Sequence, residues 1–372
     1  MKQKGSHSVH SRRRRLYARR VVIVVVAVLL VVGLLAGVGY LILPKYRYKP
    51  VPDAASDLGI DETDVQFDKK IINVALFGLD SRKPDTFTGL SDCVMILSLN
   101  TETKQVKVFS VMRDSLVPIR RNGTVSYNKL NSVYQFGGST LAIKTLNECF
   151  GLDISEYVTV NFYGLAHIID AVGGVDVTLT QEEVTARGTT HQSGINDYID
   201  EICQYMGEDV RSNRITTAGT QHVNGIQAVA YSRIRYVKNT WGGVDDFGRT
   251  DRQRYVMEQL FNKALTLSKT QYVSLAKALL PYVETSLSYR EILSLAIGIL
   301  LKSPTFEQMR IPRYEFVMDP PHGTWGSAVY YDLDYASRVI RAVIYDNMTI
   351  DQYEELHPVE KNDWYAKRKT TK

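Results

Sequence analysis

The sequence predicts an α/β domain, a mixed central β-sheet flanked by helices, preceded by one N-terminal transmembrane helix. Two observations predict this. Apolar runs of strand length alternate with segments of helical period along most of the chain, which is the signature of helices packed on a sheet. Ahead of them, residues 21–43 read VVIVVVAVLLVVGLLAGVGYLIL with no charge, and a helix needs ~20 apolar residues to cross the hydrocarbon core.

The apolar run is too long for an ordinary core helix and has no polar stripe. No small-residue cleavage site follows it, as a signal peptide requires. Lys2, Lys4, Arg12, Arg13, Arg14, Arg15, Arg19 and Arg20 precede it with no acidic residue among them, and only Lys45, Arg47 and Lys49 follow closely. Positive charge marks the cytoplasmic side. Residues 1–20 are therefore expected in the cytoplasm and the rest outside the cell membrane, with Tyr40, Tyr46 and Tyr48 at the outer interface. The whole chain carries a net +5 and its first 20 residues carry eight positive charges, so the remainder is at −3. The basic balance thus reports topology rather than nucleic-acid binding.

Beyond the anchor, 44% hydrophobic and 23% charged residues are ordinary globular values. The 23 tyrosines against 11 phenylalanines suit a domain that meets sugars or a wet membrane surface. Cys93, Cys149 and Cys203 are odd in number and read as buried small apolar residues, a Cys149–Cys203 disulfide being the minority reading. No His/Cys cluster has zinc-ligand spacing.

Residues 44–70 are polar, acidic and aperiodic, and read as a linker to a domain at 71–346. Continuous apolar runs at 71–78 and 93–99 predict buried strands. The alternation at 106–111 predicts a third, in hairpin with the second across the NTET turn. A helix is expected over 131–150, interrupted at Gly137-Gly138, then a strand at 157–162, a helix at 165–172 closed by Gly173-Gly174, and a strand at 175–179. Residues 185–216 read as a polar insert with a short helix around 198–206. Residues 224–230 read as helix and 231–236 (YSRIRY) as extended. Thr250-Asp-Arg-Gln253 has the form of a capping box opening a helix over 250–267. Helical or core segments at 273–280 and 289–301, a strand at 313–318 and a helix at 335–345 complete the domain. Residues 347–372 read as a polar tail.

Charged residues concentrate where strands end, the place where sites form in α/β domains. Asp80 leaves the first strand and Asp92 opens the second. Two carboxylates at one sheet end could hold a magnesium ion, which takes one or two carboxylates together with phosphate oxygens and water. Arg113 ends the third strand. In an extended 231–236 segment Arg233 and Arg235 share a face. On a helix beginning at Thr250, Arg249, Arg252 and Gln253 also share one, with Arg249 just before an anion-attracting first turn. Such a cluster suits a diphosphate. The competing reading is a salt-bridge network with Asp245, Asp246 and Asp251.

The succession GLDSR (78–82), Ser91-Asp92, Arg113-Asp114, Lys129-Leu130-Asn131, DAVGGVDV (170–177), HVNGIQAVAYSRIR (222–235) and DFGRTDRQ (246–253) resembles the LytR–CpsA–Psr family over about residues 71–267. That family transfers glycopolymers from a polyprenyl-pyrophosphate carrier to peptidoglycan, with magnesium as cofactor. The resemblance implies that Asp80 and Asp92 hold Mg2+ and that Arg82, Arg113, Arg233, Arg235, Arg249 and Gln253 bind the diphosphate. Asp246 would orient an arginine or deprotonate the acceptor, so that Arg113, Arg235 and Asp246 form the catalytic set. It also implies a Gram-positive cell membrane and a teichoic acid, capsular or other wall polysaccharide as cargo. The chain departs from the family pattern at Met112, at Cys93, in the longer stretch between Arg235 and Asp246, and in the insert before Asn224. Lipid pyrophosphatase, transcriptional regulator and wall-binding scaffold are the alternatives, and the short tail argues against the regulator.

Overall fold

The computed structural model describes residues 46–64, 68–81, 83, 85–188, 192–264, 280–288, 290–292, 305–318 and 326–359. The basic tail, the expected membrane span and Arg82 lie outside these residues, as do the segments expected at 273–279 and 293–301. Among the described residues no helix is long and apolar enough to cross a membrane.

The strands are β1 (Arg47–Tyr48), β2 (Ile71–Leu79), β3 (Ser91–Asn100), β4 (Gln105–Val111), β5 (Leu116–Arg121), β6 (Thr124–Lys129), β7 (Glu156–Asn161), β8 (Val175–Leu179), β9 (Gly219–Val223), β10 (Val283–Thr285) and β11 (Thr305–Ile311). The helices are α1 (Leu130–Phe150), α2 (Phe162–Ala171), α3 (Gln181–Thr185), α4 (Ile195–Met206), α5 (Val210–Asn213), α6 (Gly225–Arg233), α7 (Asp245–Ala264), α8 (Leu333–Tyr345) and α9 (Ile350–Leu356). Seven strands form one mixed sheet in the order β1-β10-β7-β2-β3-β4-β11. The β2–β3 and β3–β4 pairs are antiparallel, whereas β7 runs parallel to β2 and β11 parallel to β4.

Both faces of the sheet are buried, which explains why its central strands read as unbroken apolar runs. Val74, Met95, Leu97 and Val108 pack towards α2, α4, α6 and α7. Ala75, Phe77, Ile96 and Phe109, one residue out of phase, pack towards α1 and α8. The two faces follow from the two-residue side-chain period of a strand.

Several boundaries differ from the sequence reading. The expected linker packs onto the domain: β1 pairs in parallel with β10, and Leu58 is buried. Residues 116–129 form the β5–β6 hairpin, which Pro118 and a polar, exposed β6 disguise in the sequence. The last sheet strand is Thr305–Ile311, whereas 314–316 is a 3-10 turn. The polar tail contains α9, opened by a Thr349–Gln352 capping box and pinned by buried Tyr353. Residues Gly137 and Gly138 break the helical geometry of α1 as expected. All three cysteines are free, so the Cys149–Cys203 pairing does not form.

Asn147 in α1 fastens the connections around that helix. Its side chain donates to Leu58 O and Ile154 O and accepts from Ile154 N, each at 2.9 Å. Replacing it strands three buried backbone groups, each costing about 1–3 kcal/mol if left unmet. Asn147→Leu is expected to lower the denaturant midpoint by the equivalent of several kcal/mol. An unchanged midpoint would show that the loops at 58 and 154 close without it.

Candidate active site

The site lies at the end of the sheet where β2 and β4 finish and β3 begins. Gly78 pairs with Cys93 and Leu79 with Ser91, which leaves Asp92 as the extra residue of a β-bulge. A bulge re-aims a side chain without ending the strand, and the Asp92 carboxylate meets the guanidinium of Arg113, two residues past β4. Asp80 follows β2, and its backbone N–H donates to Leu90 O at 3.1 Å. Its charge acts on Arg233 and Tyr205. Asn161 steadies the intervening loop, accepting from Gly164 N at the start of α2 while donating to Lys83 O and Thr86 O.

Asp246, at the start of α7, is the centre of the site and is 5% exposed. Its Oδ1 accepts from Arg113 Nε at 3.1 Å and from Arg249, and Arg235 Nε lies 3.5 Å away. Its Oδ2 is buried and has no hydrogen-bond partner. Burial, reinforced by Asp114 and Asp92, pushes the carboxyl up to about 6, against the pull of Arg113 and Arg235. For Arg113 burial opposes the charge, but Asp246, Asp92 and Asp114 outweigh it and raise the pKa. Arg249 NH1 is 3.5 Å from Asp92 Oδ2, and Gln253 Nε2 donates to Asp92 O at 3.5 Å.

Asp114 is 3% exposed and bridges Arg235 and Lys129, at 3.5 Å each. Only the fold shows that it binds an arginine 121 residues away in sequence. Arg233 stacks over Phe162 and Tyr198 at 5.0 and 5.1 Å and donates to Tyr205 Oη at 2.9 Å. These rings escaped sequence reasoning because nothing local distinguishes them from core.

Asp92, Arg233, Arg235, Arg249 and Gln253 line one cleft of about 220 Å³. Arg235 Nε and Arg249 Nε make no hydrogen bond, although a guanidinium carries five donors. Of the salt-bridge network expected as the competitor, Asp246 takes part and Asp251 pairs elsewhere, and Arg233, Arg235 and Arg249 still line a cleft. That arrangement positions arginines for an anion. Phe162 and Gln253 also border an apolar slot of about 180 Å³ between the sheet and helices α2 and α7, walled by Leu76, Met95, Val160, Leu165, Val256 and Leu260. Cys93 lines the slot, and burial pushes its thiol up to about 12. A polar cleft opening onto an apolar slot fits a ligand with a charged head and a hydrocarbon tail.

Three local expectations are corrected. Helix α7 begins at Asp245, so Thr250 is not a cap; its Oγ1 donates to Asp246 O within the helix. Arg249 is a second-turn residue and not a residue preceding the first. The 231–236 segment is not extended, because α6 runs through Arg233; Arg233 and Arg235 still reach the cleft because the chain turns at Ile234. Arg252 points away from the cleft. It is fully buried, bonded to Glu183 at 2.6 Å and to Ile234 O and Val237 O at 3.0 and 2.6 Å. It thereby fixes the turn that carries Arg235. Asp251 pairs with Arg254 and Arg310, both at 2.9 Å, outside this cleft.

Magnesium can be tested against these donors. Among the described residues no group of three or more His, Cys, Asp or Glu side chains is placed to hold a metal. Asp80 and Asp92 share the sheet end, and each carboxylate oxygen has lone pairs beyond one arginine contact. This donor set fits an ion that draws its other ligands from phosphate and water.

The LytR_cpsA_psr family matches residues 49–338. The chain is 30% identical over 231 residues to a polyisoprenyl-teichoic acid–peptidoglycan teichoic acid transferase TagU of Enterococcus faecalis, covering 62% of this chain and 66% of that protein. It is 30% identical over 232 residues to biofilm regulatory protein A of Streptococcus mutans, covering 60% and 52%. The matched region spans about half to two thirds of the length of these relatives. Among solved structures, protein gbs0355 of Streptococcus agalactiae shares the fold with a TM-score of 0.59 at 21% identity, covering 84% of this chain and 99% of that one. The LytR-CPS2A-psr family protein YwtF (TagT), with bound octaprenyl pyrophosphate lipid, does so at 0.50 and 20%, covering 75% and 93%.

Removing one partner of a buried ion pair leaves the other charge uncompensated, at a cost of about 3–5 kcal/mol. Arg252→Leu is therefore expected to destabilise the protein by that amount, with Glu183→Gln milder. Equilibrium denaturation checks this, and a loss below about 1 kcal/mol would mean that the pair behaves as a surface bridge.

Proposed function

The chain belongs to the LytR–CpsA–Psr family, and from that premise we propose that it is a membrane-anchored transferase. It moves a phospho-glycopolymer from a polyprenyl-pyrophosphate carrier to peptidoglycan by forming a phosphodiester bond. The observation that supports this most is the join between the arginine cleft and the apolar slot at Phe162 and Gln253. At about 180 Å³ the slot takes part of a long prenyl chain, so α2 and α7 must part to admit the rest.

In the proposed reaction an acceptor hydroxyl oxygen attacks the phosphorus that bears the glycopolymer. The new P–O bond forms as the bridging P–O–P bond breaks, and polyprenyl phosphate leaves. The hydroxyl proton passes to the Asp246 carboxylate. Arg113, Arg235 and Arg249 hold the phosphate oxygens as charge develops, which is where electrostatic preorganisation lowers a phosphoryl-transfer barrier. Arg233 and Gln253 hold the head group at the mouth of the slot, and Arg82 is assigned to the same task by family resemblance. Asp80 and Asp92 would hold Mg2+, which would neutralise diphosphate charge.

The topology supports a membrane-facing site. Arg47 is level with Glu284, Thr159 and Phe77 across the sheet, and β1 runs opposite to β2. The chain upstream of Arg47 therefore approaches at the sheet end that carries Asp80. Three interstrand spacings separate β1 from β2, about 14 Å. If residues 21–43 span the membrane, the two residues before Tyr46 reach at most about 10 Å. The cleft then sits beside the outer headgroups.

With Asp246 as base, transfer is expected to rise with pH through about 6 as its carboxyl ionises. Asp246→Asn is expected to lose about 10²–10⁴-fold in rate and to lose this inflection. Polyprenyl phosphate release would be assayed with and without peptidoglycan fragments: release independent of acceptor would establish a hydrolase instead. Chelation is expected to abolish transfer and added Mg2+ to restore it; full activity in chelator would remove the metal from the proposal.

A further inference from the structure

A second cleft, of about 840 Å³, lies on the other flank of α7. Arg249 and Gln253 face the site already described, whereas Asp251, Arg254 and Glu258 line the second cleft. At 100° per residue these sets occupy nearly opposite faces of one helix. The cleft's far wall comes from β11 and the turn after it, through Gln308, Arg310 and Tyr314. Its rim is Trp241, which is 52% exposed and meets Tyr255 edge-on with ring centroids 5.0 Å apart.

The rim is a built feature. Asn239 is 3% exposed. Its Oδ1 accepts from Trp241 N at 3.0 Å and Gly243 N at 2.7 Å, and its Nδ2 donates to Gly248 O at 3.3 Å. The turn presenting Trp241 is thus fastened to α7 itself and leads straight into Asp246. On the opposite wall Arg310 lies over the Tyr314 ring at 3.9 Å. Arg254 Nε, Arg310 Nε and Gln308 Nε2 are buried donors without a hydrogen-bond partner. Two arginines face Asp251 and Glu258, so the lining is balanced in charge.

Flat aromatic faces, an amide side chain and a lining with no charge excess match the alternating apolar faces and hydroxyl edges of sugars. We propose that this cleft binds an oligosaccharide, a stretch of the acceptor glycan strand distant from the reacting hydroxyl. The identification of the strand rests on the transfer reading; the saccharide class rests on the lining. Because a helix with its side chains is about 10–12 Å across, a ligand that reaches both clefts spans several sugars. The cleft therefore selects for chain length.

The test is calorimetric titration of the full-length protein in detergent with peptidoglycan glycan fragments, a disaccharide and an octasaccharide, and separately with soluble fragments of the host's secondary wall polymer. The octasaccharide is expected to bind far better than the disaccharide. Trp241→Ala is expected to weaken it about tenfold with the thermal midpoint and polyprenyl phosphate binding unchanged. Tyr255→Ala should do the same, and Trp241→Phe should recover most of the loss. If the wall-polymer fragments, and not the glycan, lose affinity in Trp241→Ala, the saccharide cleft stands and its ligand is the carried chain. If neither ligand responds to Trp241→Ala, the proposal is overturned. Octasaccharide binding that depends on Trp241 in a protein that shows no transfer would sink the transferase reading and leave the cleft. Transfer that is active but indifferent to both acceptor length and Trp241 would do the reverse.

Discussion

Asp246 Oδ1 is the point on which the site depends. Arg113 comes to it from the end of β4, Arg235 from the turn after α6 and Arg249 from the second turn of α7. Without that shared oxygen, three guanidinium groups brought within contact of one another would repel through a medium less screening than water. With it they are held in place before any ligand arrives. The carboxylate in turn tolerates burial only because the arginines surround it, and even so its proton affinity is raised. Asp92 and Asp114 extend the same logic outward, the first gripping two cations and the second three. The fold thus uses buried carboxylates to place arginines along the cleft.

Much of this was legible because the chemistry sits in contiguous charged motifs at strand ends. Asp80, Asp92, Arg113, Arg235, Asp246 and Arg249 stand out against apolar flanks, and the fold does bring the described ones to one sheet end. The errors were local and had one cause: short-range patterns were outvoted by tertiary contacts. Thr250-to-Gln253 has the spacing of a capping box, yet α7 gains another turn upstream because Asp246 and Phe247 are both buried. Arg252 looks like a third surface arginine, but Glu183 lies 69 residues away in sequence and no local rule pairs them. The β5–β6 hairpin carries an exposed strand with no apolar alternation to announce it. Phe162 and Tyr198 became site residues only through the packing of α2 and α4 around α6.

The sheet serves two purposes with its two faces. Towards α1 and α8 it is filled by large interlocking side chains such as Phe77, Phe109 and Tyr134. Towards α2 and α7 it is lined by Leu76, Met95, Val158 and Val160, which leave a slot. The strand period makes this division possible, since neighbouring residues on one strand can be chosen independently for a solid core and for a cavity wall. Helix α7 repeats the device in another geometry, with one face on the arginine cleft and the opposite face on the aromatic one.

The two residues of β1 fix more than an edge of the sheet. By hydrogen-bonding to β10 directly after the proposed anchor, they would remove the slack between anchor and domain. A domain on a long leash would sample a hemisphere above the bilayer, and its chance of meeting a carrier would fall steeply with tether length. On the proposed topology the cleft would be confined to a thin layer over the lipid surface, where a lipid-linked carrier would arrive by lateral diffusion. The quantity governing encounter would then be the number of carrier molecules per unit area of membrane, which dilution of the surrounding medium leaves untouched.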